Sequence, residues 1–465
     1  MVEPLWTSAD MTAATGGLLT GEAFAATGVS IDTRTLEPGD LFVALAGERD
    51  GHEFIDQALA KGAAGALATR PGAGGRIVVG DVLTALEQLG VAARKRATSA
   101  RRGAVTGSVG KTSVTQAIAA GLALAGPSHT SVHSYNNHIG VPLTLARMPH
   151  GTRRAIFEIG MNHSGEIEPL SRMVQPEAVV ITTVGPVHVE NFSDGEVGVA
   201  RAKAEIFAGM AADGTAILNA DNGWFDLLKG EAERAGCKVW AFGSDAACEA
   251  RLMDVRPEAE GLRIVAEVHG RKVDFALRQT GVQWGLNSLA VLLMLEALDV
   301  DLDTGLKALS DFAPLEGRGV ERSVALDGGA FTLIDDSFNA NSLSTTAALK
   351  TLGARHAAGR RIVALTDMLE LGEMSASLHA ALSEPIEQAK VDLVFCAGPL
   401  MRSLWEVLPP TRRGGYADSA AELEPRLVAA IQPGDVVLVK GSKGSKASAL
   451  AKALAGLAAG AGELG

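Results

Sequence analysis

A short glycine-containing loop at residues 106–113 constrains the fold most strongly, and it reads Thr-Gly-Ser-Val-Gly-Lys-Thr-Ser. An apolar run at 103–105 precedes it, and residues 114–120 have the composition of a helix. A strand, a glycine turn and a helix N-terminus direct backbone N–H groups and the positive end of a helix dipole at an anion. Lys111 would reach the outer phosphates of a nucleotide, and the Thr112 hydroxyl would ligate Mg²⁺.

The loop departs from the usual phosphate-loop pattern at one position. Val105 stands where a glycine is common, five residues before Gly110. A Gly-Lys-Thr sequence between a strand and a helix is nevertheless rare, so it favours a nucleoside triphosphate site over an ordinary helix-entry turn. The loop residues expected to contact the nucleotide are Gly107, Ser108, Val109, Gly110, Lys111, Thr112 and Ser113.

The composition limits the class of partner. The 465 residues suffice for several domains with large cores. The formal net charge of -12 argues against nucleic acid or an anionic membrane as the main partner, although a local basic pocket can still bind a small anion. Cys237, Cys248 and Cys396 have no metal-ligand spacing, so we expect reduced thiols in a cytoplasmic protein. The N-terminus lacks a signal-peptide pattern, and no apolar run is long enough to span a bilayer.

The first block of the chain is predicted to span residues 1–101 as an α/β domain. It contains a turn and strand at 39–45 and a short strand at 76–79. Five basic residues within 94–102 lie at its end, and we interpret them as a solvated helix end and linker.

The second block is predicted to span residues 102–313 as a mostly parallel sheet of the phosphate-loop type. Near-continuous apolar runs are typical of strands that helices cover on both faces. These runs lie at 155–159, 178–182 and 215–218. Two alternating segments at 263–268 and 272–277 flank His-Gly-Arg and predict a β-hairpin appended to the parallel core.

The third block is predicted to span residues 314–465 as a smaller doubly wound, Rossmann-like sheet. Its strand candidates are 361–365, 393–397 and 435–439, with helical stretches between them. The Ala-rich segment 447–459 predicts a terminal helix. The fold class is therefore α/β with three domains.

Polar residues at the ends of predicted strands limit which ligands the predicted phosphate site could bind. Glu158 ends an apolar strand, and ligands of parallel sheets bind beyond the carboxyl ends of strands. A carboxylate there can hold Mg²⁺, although an ordinary surface carboxylate beside a turn is equally compatible with this position. Periodicity alone favours a structural role for His188 and a solvated helix position for Lys203.

Further motifs, taken in order, resemble those of the Mur ligase family, which makes the peptide of the bacterial cell-wall precursor. They are Ser-Ile-Asp-Thr-Arg (30–34), Asp-Gly-His-Glu-Phe (50–54), Asn-Asn-His-Ile-Gly-Val-Pro (136–142), Glu-Ile-Gly-Met-Asn-His (158–163), Ala-Lys-Ala-Glu-Ile-Phe (202–207), Gly-Arg (317–318), Asp-Asp-Ser-Phe-Asn-Ala-Asn (335–341), Asp-Met-Leu-Glu-Leu-Gly (367–372) and Lys-Gly-Ser-Lys (440–443). Their order over nearly the whole chain makes the resemblance specific. The versions at 136–142 and 335–341 point to the member that adds D-alanyl-D-alanine to a UDP-linked muramoyl tripeptide, with ATP and Mg²⁺ as cofactors.

The resemblance also implies roles for single residues. Thr112 and Glu158 would hold one Mg²⁺, and His188 and Lys203 would act on a second, with Lys203 converted by CO₂ to a carbamate. Asn137 would lie near the γ-phosphate. The other implied contacts are Asn287 with adenine, Arg318, Asp335 and Asn339 with the nucleotide from the third domain, Asn136 with substrate, and Ser30, Asp32 and Arg34 with the uridine diphosphate end of the substrate.

The chain departs from the family pattern at two places. Gln283 and Trp284 replace a common His-Asn pair before Asn287, and Phe338 stands where a Tyr is common. Two alternatives stay open: a sibling ligase with another acceptor, such as a single amino acid or a folate, and a phosphate-loop switch or assembly NTPase. The latter would leave Lys203 and the segment 335–341 without a role. We expect a monomer.

Overall fold

The computed structural model describes residues 3–132, 134–258 and 261–460, and within them the backbone forms three large sheets and one small one. The α/β class with mostly parallel sheets is confirmed, while the exact domain boundaries stay a prediction. Among the helices of the described residues, none is long and apolar enough to cross a bilayer.

The first sheet has five strands in the order β2-β7-β6-β5-β4, parallel except for β2 at one edge. Its elements, with the small β1–β3 pair, are β1 Trp6–Thr7, α1 Ser8–Thr15, β2 Leu18–Thr20, β3 Ala25–Ala26, β4 Gly28–Ser30, β5 Asp40–Val43, α2 Ile55–Ala60, β6 Gly65–Ala68, β7 Arg76–Val78 and α3 Val82–Arg96.

The central sheet has nine strands in the order β16-β15-β14-β13-β12-β11-β8-β10-β9. Its elements are β8 Arg101–Thr106, α4 Lys111–Leu124, β9 Ser128–Thr130, α5 Gly140–Ala146, β10 Arg154–Glu158, α6 Ile167–Val174, β11 Ala178–Ile181, α7 Glu196–Ala204, β12 Thr215–Asn219, α8 Phe225–Arg234, β13 Lys238–Gly243, β14 Ala250–Glu258, β15 Gly261–Val268, β16 Arg271–Leu277, α9 Trp284–Ala297 and α10 Leu302–Asp311.

The predicted hairpin of the central block is confirmed as β15 and β16, but it is part of a larger unit. β14 pairs antiparallel with β15 and parallel with β13, so three antiparallel strands continue the parallel sheet. Separate apolar cores cover the two faces of this sheet, which explains the near-continuous apolar strands.

The third sheet has six strands in the order β17-β18-β22-β19-β20-β21, all parallel except the β17–β18 hairpin. Its elements are β17 Val320–Leu326, β18 Gly329–Asp336, α11 Ser342–Ala354, β19 Arg361–Thr366, α12 Ser375–Ala380, α13 Ser383–Gln388, β20 Leu393–Ala397, α14 Arg402–Val407, β21 Arg413–Ala417, α15 Ala420–Ala430, β22 Val436–Lys440 and α16 Ala447–Gly460.

The sequence anticipated three strands of this sheet and missed three, β17, β18 and β21. In β21, Gly414 and Gly415 lower the strand propensity. The Phe395 ring occupies the space that a side chain at Gly414 would need, because an added Cβ would lie 2.5 Å from it. Tertiary packing therefore decides this strand.

The basic segment at the end of the first block is not a solvated linker, so that interpretation is wrong. Arg96 donates hydrogen bonds to the carbonyl oxygens of Leu5 (2.8 Å) and Met148 (3.1 Å), and its guanidinium lies 3.8 Å from the Trp6 ring centroid. Arg102 donates to the carbonyl oxygen of Val174 at 3.0 Å. Arg96 therefore joins the N-terminal strand to the central block.

Replacing Arg96 tests how much its contacts between the N-terminal strand and the central block contribute to stability. Arg96→Ala removes two charge-assisted hydrogen bonds, and a hydrogen bond of this kind contributes about 2 kcal/mol to stability. We therefore expect the first unfolding transition of the variant to have its midpoint at a lower denaturant concentration than that of wild type. Lys95→Ala is the matched control, because Lys95 is exposed on the same helix turn. Equal midpoints for the two variants would contradict a joining role for Arg96.

Candidate active site

Three neighbouring parallel strands end together at one edge of the central sheet. β8 lies between β10 and β11, with Glu158 opposite Val105 and Ile181 opposite Thr106. The phosphate loop follows β8, Glu158 is the last residue of β10, and the segment leading to His188 follows β11. The topology therefore brings together residues that the sequence separates widely.

The phosphate loop is fixed by hydrogen bonds to the segment after β11. Thr182 Oγ1 donates to the carbonyl oxygen of Val109 at 2.5 Å, and the Ser108 amide donates to that of Thr183 at 2.8 Å. Gly107 has φ 147, and a Cβ there would lie 2.0 Å from Thr182 Oγ1. Val105, which replaces the first glycine of the usual phosphate-loop pattern, is fully buried within β8. This position therefore belongs to the strand and its core rather than to the loop.

Lys111 is the first residue of α4, and its side chain is half-buried. Its Nζ donates to the carbonyl oxygen of Gly107 at 2.8 Å. Burial lowers the pKa of Lys111; Glu158 opposes this effect and Arg318 adds to it. The ammonium is thus held inside the loop where phosphate oxygens would lie.

Glu158 is 2% exposed, so it is not a surface carboxylate. Its Oε1 accepts hydrogen bonds from Ser134 Oγ at 2.9 Å and from Asn136 Nδ2 at 2.7 Å. Thr112 Oγ1 donates to Ser134 Oγ at 3.2 Å. Ser134, which the sequence did not single out, therefore links the two oxygen ligands expected for Mg²⁺.

The two adjacent asparagines have different environments. Asn136 contacts Glu158, whereas Asn137 is exposed and its Oδ1 accepts from the amides of Ile139 (3.1 Å) and Gly140 (2.9 Å). Asn137 thus caps the start of α5. A contact of Asn137 with a γ-phosphate stays a prediction.

Lys203 lies on α7 and is 3% exposed, so the solvated helix position is wrong. Burial and then Lys111 lower the pKa of Lys203 well below its usual value. Within the described part of the chain, no hydrogen bond or ion pair engages its amine. A lowered pKa favours the neutral amine, which is the nucleophilic form.

His188 has a left-handed backbone with φ 59 and belongs to the segment after β11. Burial lowers its pKa to about 4, and the positive charges of Lys111 and Lys203 act in the same direction. The imidazole is therefore neutral near pH 7. Its Nδ1 lies 3.2 Å from Oε2 of Glu370, a residue of the third block that belongs to the motif at 367–372 but was not predicted as a site residue.

Arg318 brings a positive charge from the third block to the same place. Burial lowers its pKa, whereas the carboxylates of Glu158 and Asp336 raise it. The guanidinium carbon lies 3.9 Å from the Phe338 ring centroid, a cation–π contact that needs no tyrosine hydroxyl. Arg318 thus spans the central and third blocks.

A buried ion pair fixes the segment that carries the other predicted contacts. Lys440 Nζ donates to Asp336 Oδ2 at 2.6 Å and to the carbonyl oxygen of Asn339 at 3.1 Å. Asp336 and Lys440 are partners in register at the ends of β18 and β22. The Lys-Gly-Ser motif after an apolar strand was the available signal for Lys440.

Asp335 and Asn339 accept hydrogen bonds from hydroxyl or amide groups that are close to them in the sequence. Asp335 is 9% exposed, and its Oδ1 accepts from Ser337 Oγ at 2.5 Å. Asn339 is exposed, and its Oδ1 accepts from the Ala340 amide at 3.0 Å. Their nucleotide contacts stay predictions.

The unusual pair before Asn287 has a structural explanation in part. Trp284 is buried and packs against Phe312 with ring centroids 5.9 Å apart, whereas Gln283 is exposed. Asn287 adjoins the phosphate loop, since a Cβ on Gly110 would lie 3.5 Å from its Nδ2. A small cavity at the start of α9 is lined by residues that include Gln279, Gly281, Gln283, Trp284, Arg318 and Asp336.

The residues predicted for the uridine end form a turn after β4 of the first sheet. Ser30 Oγ donates to the carbonyl oxygen of Asp32 at 3.1 Å. Arg34 pairs with Asp32 at 2.6 Å, and its hydrogen bonds lower the pKa of that carboxyl. Ser30 is buried, while the Arg34 side chain is 87% exposed, and a contact of either with a uridine nucleotide stays a prediction.

Comparisons with known proteins cover almost the whole chain. The Mur ligase family catalytic domain matches residues 25–104, the Mur ligase middle domain 105–295 and the Mur ligase glutamate ligase domain 322–443. UDP-N-acetylmuramoyl-tripeptide–D-alanyl-D-alanine ligase of Escherichia coli (strain K12) is 34% identical over 456 residues, which is 96% of this chain and 98% of that protein. The chain belongs to the Mur ligase family.

Solved structures agree with this family membership. A crystal structure of MurF from Acinetobacter baumannii superposes with a TM-score of 0.86 at 27% identity, over 97% of this chain and 99% of that one. MurF ligase from Thermotoga maritima in complex with ADP shares the fold, with a TM-score of 0.77 at 22% identity over 93% and 98% of the chains. The Mur ligase predicted from the motifs is confirmed.

Removing Lys111 separates chemistry from folding. Lys111→Ala deletes a cation aimed at phosphate, so we expect ATP-dependent turnover to fall about 100- to 1000-fold. The unfolding temperature should stay close to that of wild type, since the side chain is only half-buried. Lys229→Ala, an exposed lysine on α8, is the matched control for loss of a charge. Near-normal turnover of Lys111→Ala would refute the assignment.

Proposed function

We propose that this Mur ligase is an ATP-dependent amide ligase that adds D-alanyl-D-alanine to UDP-N-acetylmuramoyl-tripeptide, releasing ADP and phosphate. The observation that carries the proposal is the end-to-end match with the E. coli ligase of that name, 96% of this chain against 98% of that one. The cluster of Lys111, Glu158, Lys203 and Arg318 at one sheet edge supports it, because such chemistry needs a site prepared for several phosphate charges.

The reaction consists of two displacements. A carboxylate oxygen of the tripeptide attacks the γ-phosphorus, the bond to the β-phosphate oxygen breaks, and ADP leaves with that electron pair. The amine nitrogen of D-alanyl-D-alanine then attacks the acyl carbon, a proton is lost from nitrogen, and the C–O bond to phosphate breaks. Lys111 and Arg318 would stabilise the charge that moves onto phosphate oxygens in both steps.

The residues at the sheet edge fit a magnesium ion. The Thr112 hydroxyl and the Glu158 carboxylate are hard oxygen donors joined through Ser134, and Mg²⁺ prefers such donors while keeping several waters. A cluster of three or more His, Cys, Asp or Glu side chains of metal-binding type is not found among the described residues. When bound, Mg²⁺ would neutralise phosphate charge between these two residues.

Lys203 fits the proposed carbamate. The positive charge of Lys111 disfavours a protonated Lys203, whereas a carbamate at Lys203 would place an anion near Lys111. The amine attacks the carbon of CO₂, one C–O π pair moves onto oxygen, and a proton leaves the nitrogen. The lowered pKa of Lys203 supplies the neutral amine that this addition requires.

The remaining assignments follow the three blocks. We assign 1–101 to the uridine end of the substrate, through Ser30, Asp32 and Arg34. We assign 102–313 to ATP, with Asn137, His188 and Asn287 around the phosphate loop and Asn136 in contact with substrate. We assign 314–465 to closure over the nucleotide through Arg318, Asp335 and Asn339. Closure would exclude water, which otherwise hydrolyses an acyl phosphate. A monomer in the cytoplasm remains a prediction from the sequence.

A product assay tests the function and its alternatives. With UDP-N-acetylmuramoyl-tripeptide, D-alanyl-D-alanine, ATP and Mg²⁺, we expect a UDP-linked pentapeptide in the mass spectrum and one phosphate for each amide bond formed. Omission of either acceptor should abolish net ADP formation, whereas a switch NTPase would hydrolyse ATP without them. Preference for a single amino acid or a folate substrate would replace this assignment by a sibling ligase.

Chemical rescue tests the carbamate. Lys203→Ala should lose most activity, and a small carboxylic acid in the buffer should restore part of it by placing an oxygen anion in the vacated space. Lys203→Arg should resist rescue, because a guanidinium fills that space with charge of the wrong sign. As a direct readout, ¹³C-labelled CO₂ should give a carbamate signal in wild type that is absent from both variants. A fully active Lys203→Ala enzyme would contradict the hypothesis.

A further inference from the structure

The third block meets the segment after β11 at a small set of contacts outside the phosphate loop. Nδ1 of His188 lies 3.2 Å from Oε2 of Glu370, which follows β19. Beside it, Leu343 of α11 packs on Gly185, since a Cβ there would lie 2.2 Å from a Leu343 methyl carbon. Glu370 is the charged group of the third block that faces His188 directly.

The segment that carries Glu370 is fixed to its own block on both sides. The Met368 amide donates to Nε2 of the buried His379 at 3.0 Å, and the Leu369 amide donates to Ser442 Oγ at 2.9 Å. Leu371 is 3% exposed and anchors the other side in the core. Glu370 thus moves only as the third block moves.

The segment that carries His188 is fixed to the phosphate loop. Ser108 Oγ donates to the carbonyl oxygen of Gly185 at 3.1 Å, and the Gly185 amide donates to Ser108 Oγ at 3.1 Å. His188 follows three residues later, and its carbonyl accepts from the Asn191 amide at 3.0 Å. A displacement at His188 is therefore transmitted to the loop that would hold the nucleotide.

The backbone at both contacting residues is unusual. His188 has φ 59 and Glu370 has φ 62, and neither residue is a glycine. Left-handed backbone at such residues persists only where the surroundings hold it, and it is concentrated at functional sites. Two such residues that face each other across a block boundary indicate a selected geometry rather than a chance surface contact.

We propose that Glu370 is a positioning residue that, in the arrangement of the blocks seen here, faces the Nδ1 side of the His188 ring, orients it and leaves Nε2 available for the reaction. The inference rests on the proposed function for its kinetic consequence only. A carboxylate opposite one ring nitrogen fixes the proton on that nitrogen, and partners of this kind orient functional histidines in many sites.

The test compares Glu370→Gln and Glu370→Ala with wild type, with Glu373→Ala as the matched control. Glu373 is exposed on the same loop and makes no ion pair within the described residues. In ¹⁵N-labelled full-length protein without substrates, long-range ¹H–¹⁵N spectra report the tautomer of His188, identified by its loss in His188→Gln. We expect the Nδ1–H tautomer in wild type, Glu373→Ala and Glu370→Gln, and a mixture in Glu370→Ala.

Kinetics give the second readout. Glu370→Ala should lower kcat about tenfold with a smaller change in KM for ATP, whereas Glu370→Gln, which keeps an oxygen that can face Nδ1, should stay close to wild type. An unchanged tautomer in Glu370→Ala, or equal loss of kcat in both Glu370 variants, overturns the proposal. Absence of ligase activity in wild type with the expected tautomers would contradict the proposed function instead.

Discussion

Buried positive charge at the edge of the central sheet is the feature on which the rest of the site depends. Lys111 and Arg318 bring positive charge to a region whose main carboxylate is Glu158, beside the amine of Lys203, and burial lowers the pKa of all three basic groups. Charges removed from water are unfavourable unless they are paired. The architecture therefore holds an excess of cations that phosphate anions, and an acidic derivative of Lys203, would balance.

This arrangement needs rigid supports that come from different parts of the chain. The phosphate loop is held by Thr182 and Ser108, Glu158 is held by Ser134 and Asn136, and the segment near Arg318 is held by the Asp336–Lys440 pair. Each support is a hydrogen-bonded polar group at the end of a parallel strand. Preorganised groups of this kind stabilise developing charge without reorganising during the reaction.

The third block completes the site only from the position that it occupies here. Arg318 lies close to Glu158, and the contacts of Glu370 with His188 and of Leu343 with Gly185 join the same two blocks. An amide ligase must admit three substrates and then exclude water from a reactive acyl phosphate. Such localised contacts between blocks suit repeated opening and closing better than a broad apolar interface would.

The sequence determined the local elements and the family, whereas the tertiary structure decided the environment of each side chain. Gly-Lys-Thr between a strand and a helix specified the phosphate loop, since that geometry is encoded within a few residues. Periodicity placed Lys203 on a solvated helix face and Arg96 in a linker, and both interpretations were wrong, because burial depends on what packs there from distant segments. Sequence patterns missed the strands β17, β18 and β21, because their formation also depends on packing against distant segments. Ser134, Lys440 and Glu370 acquire their roles only through partners between 22 and 182 residues away, a relation that parallel strand order and block packing create.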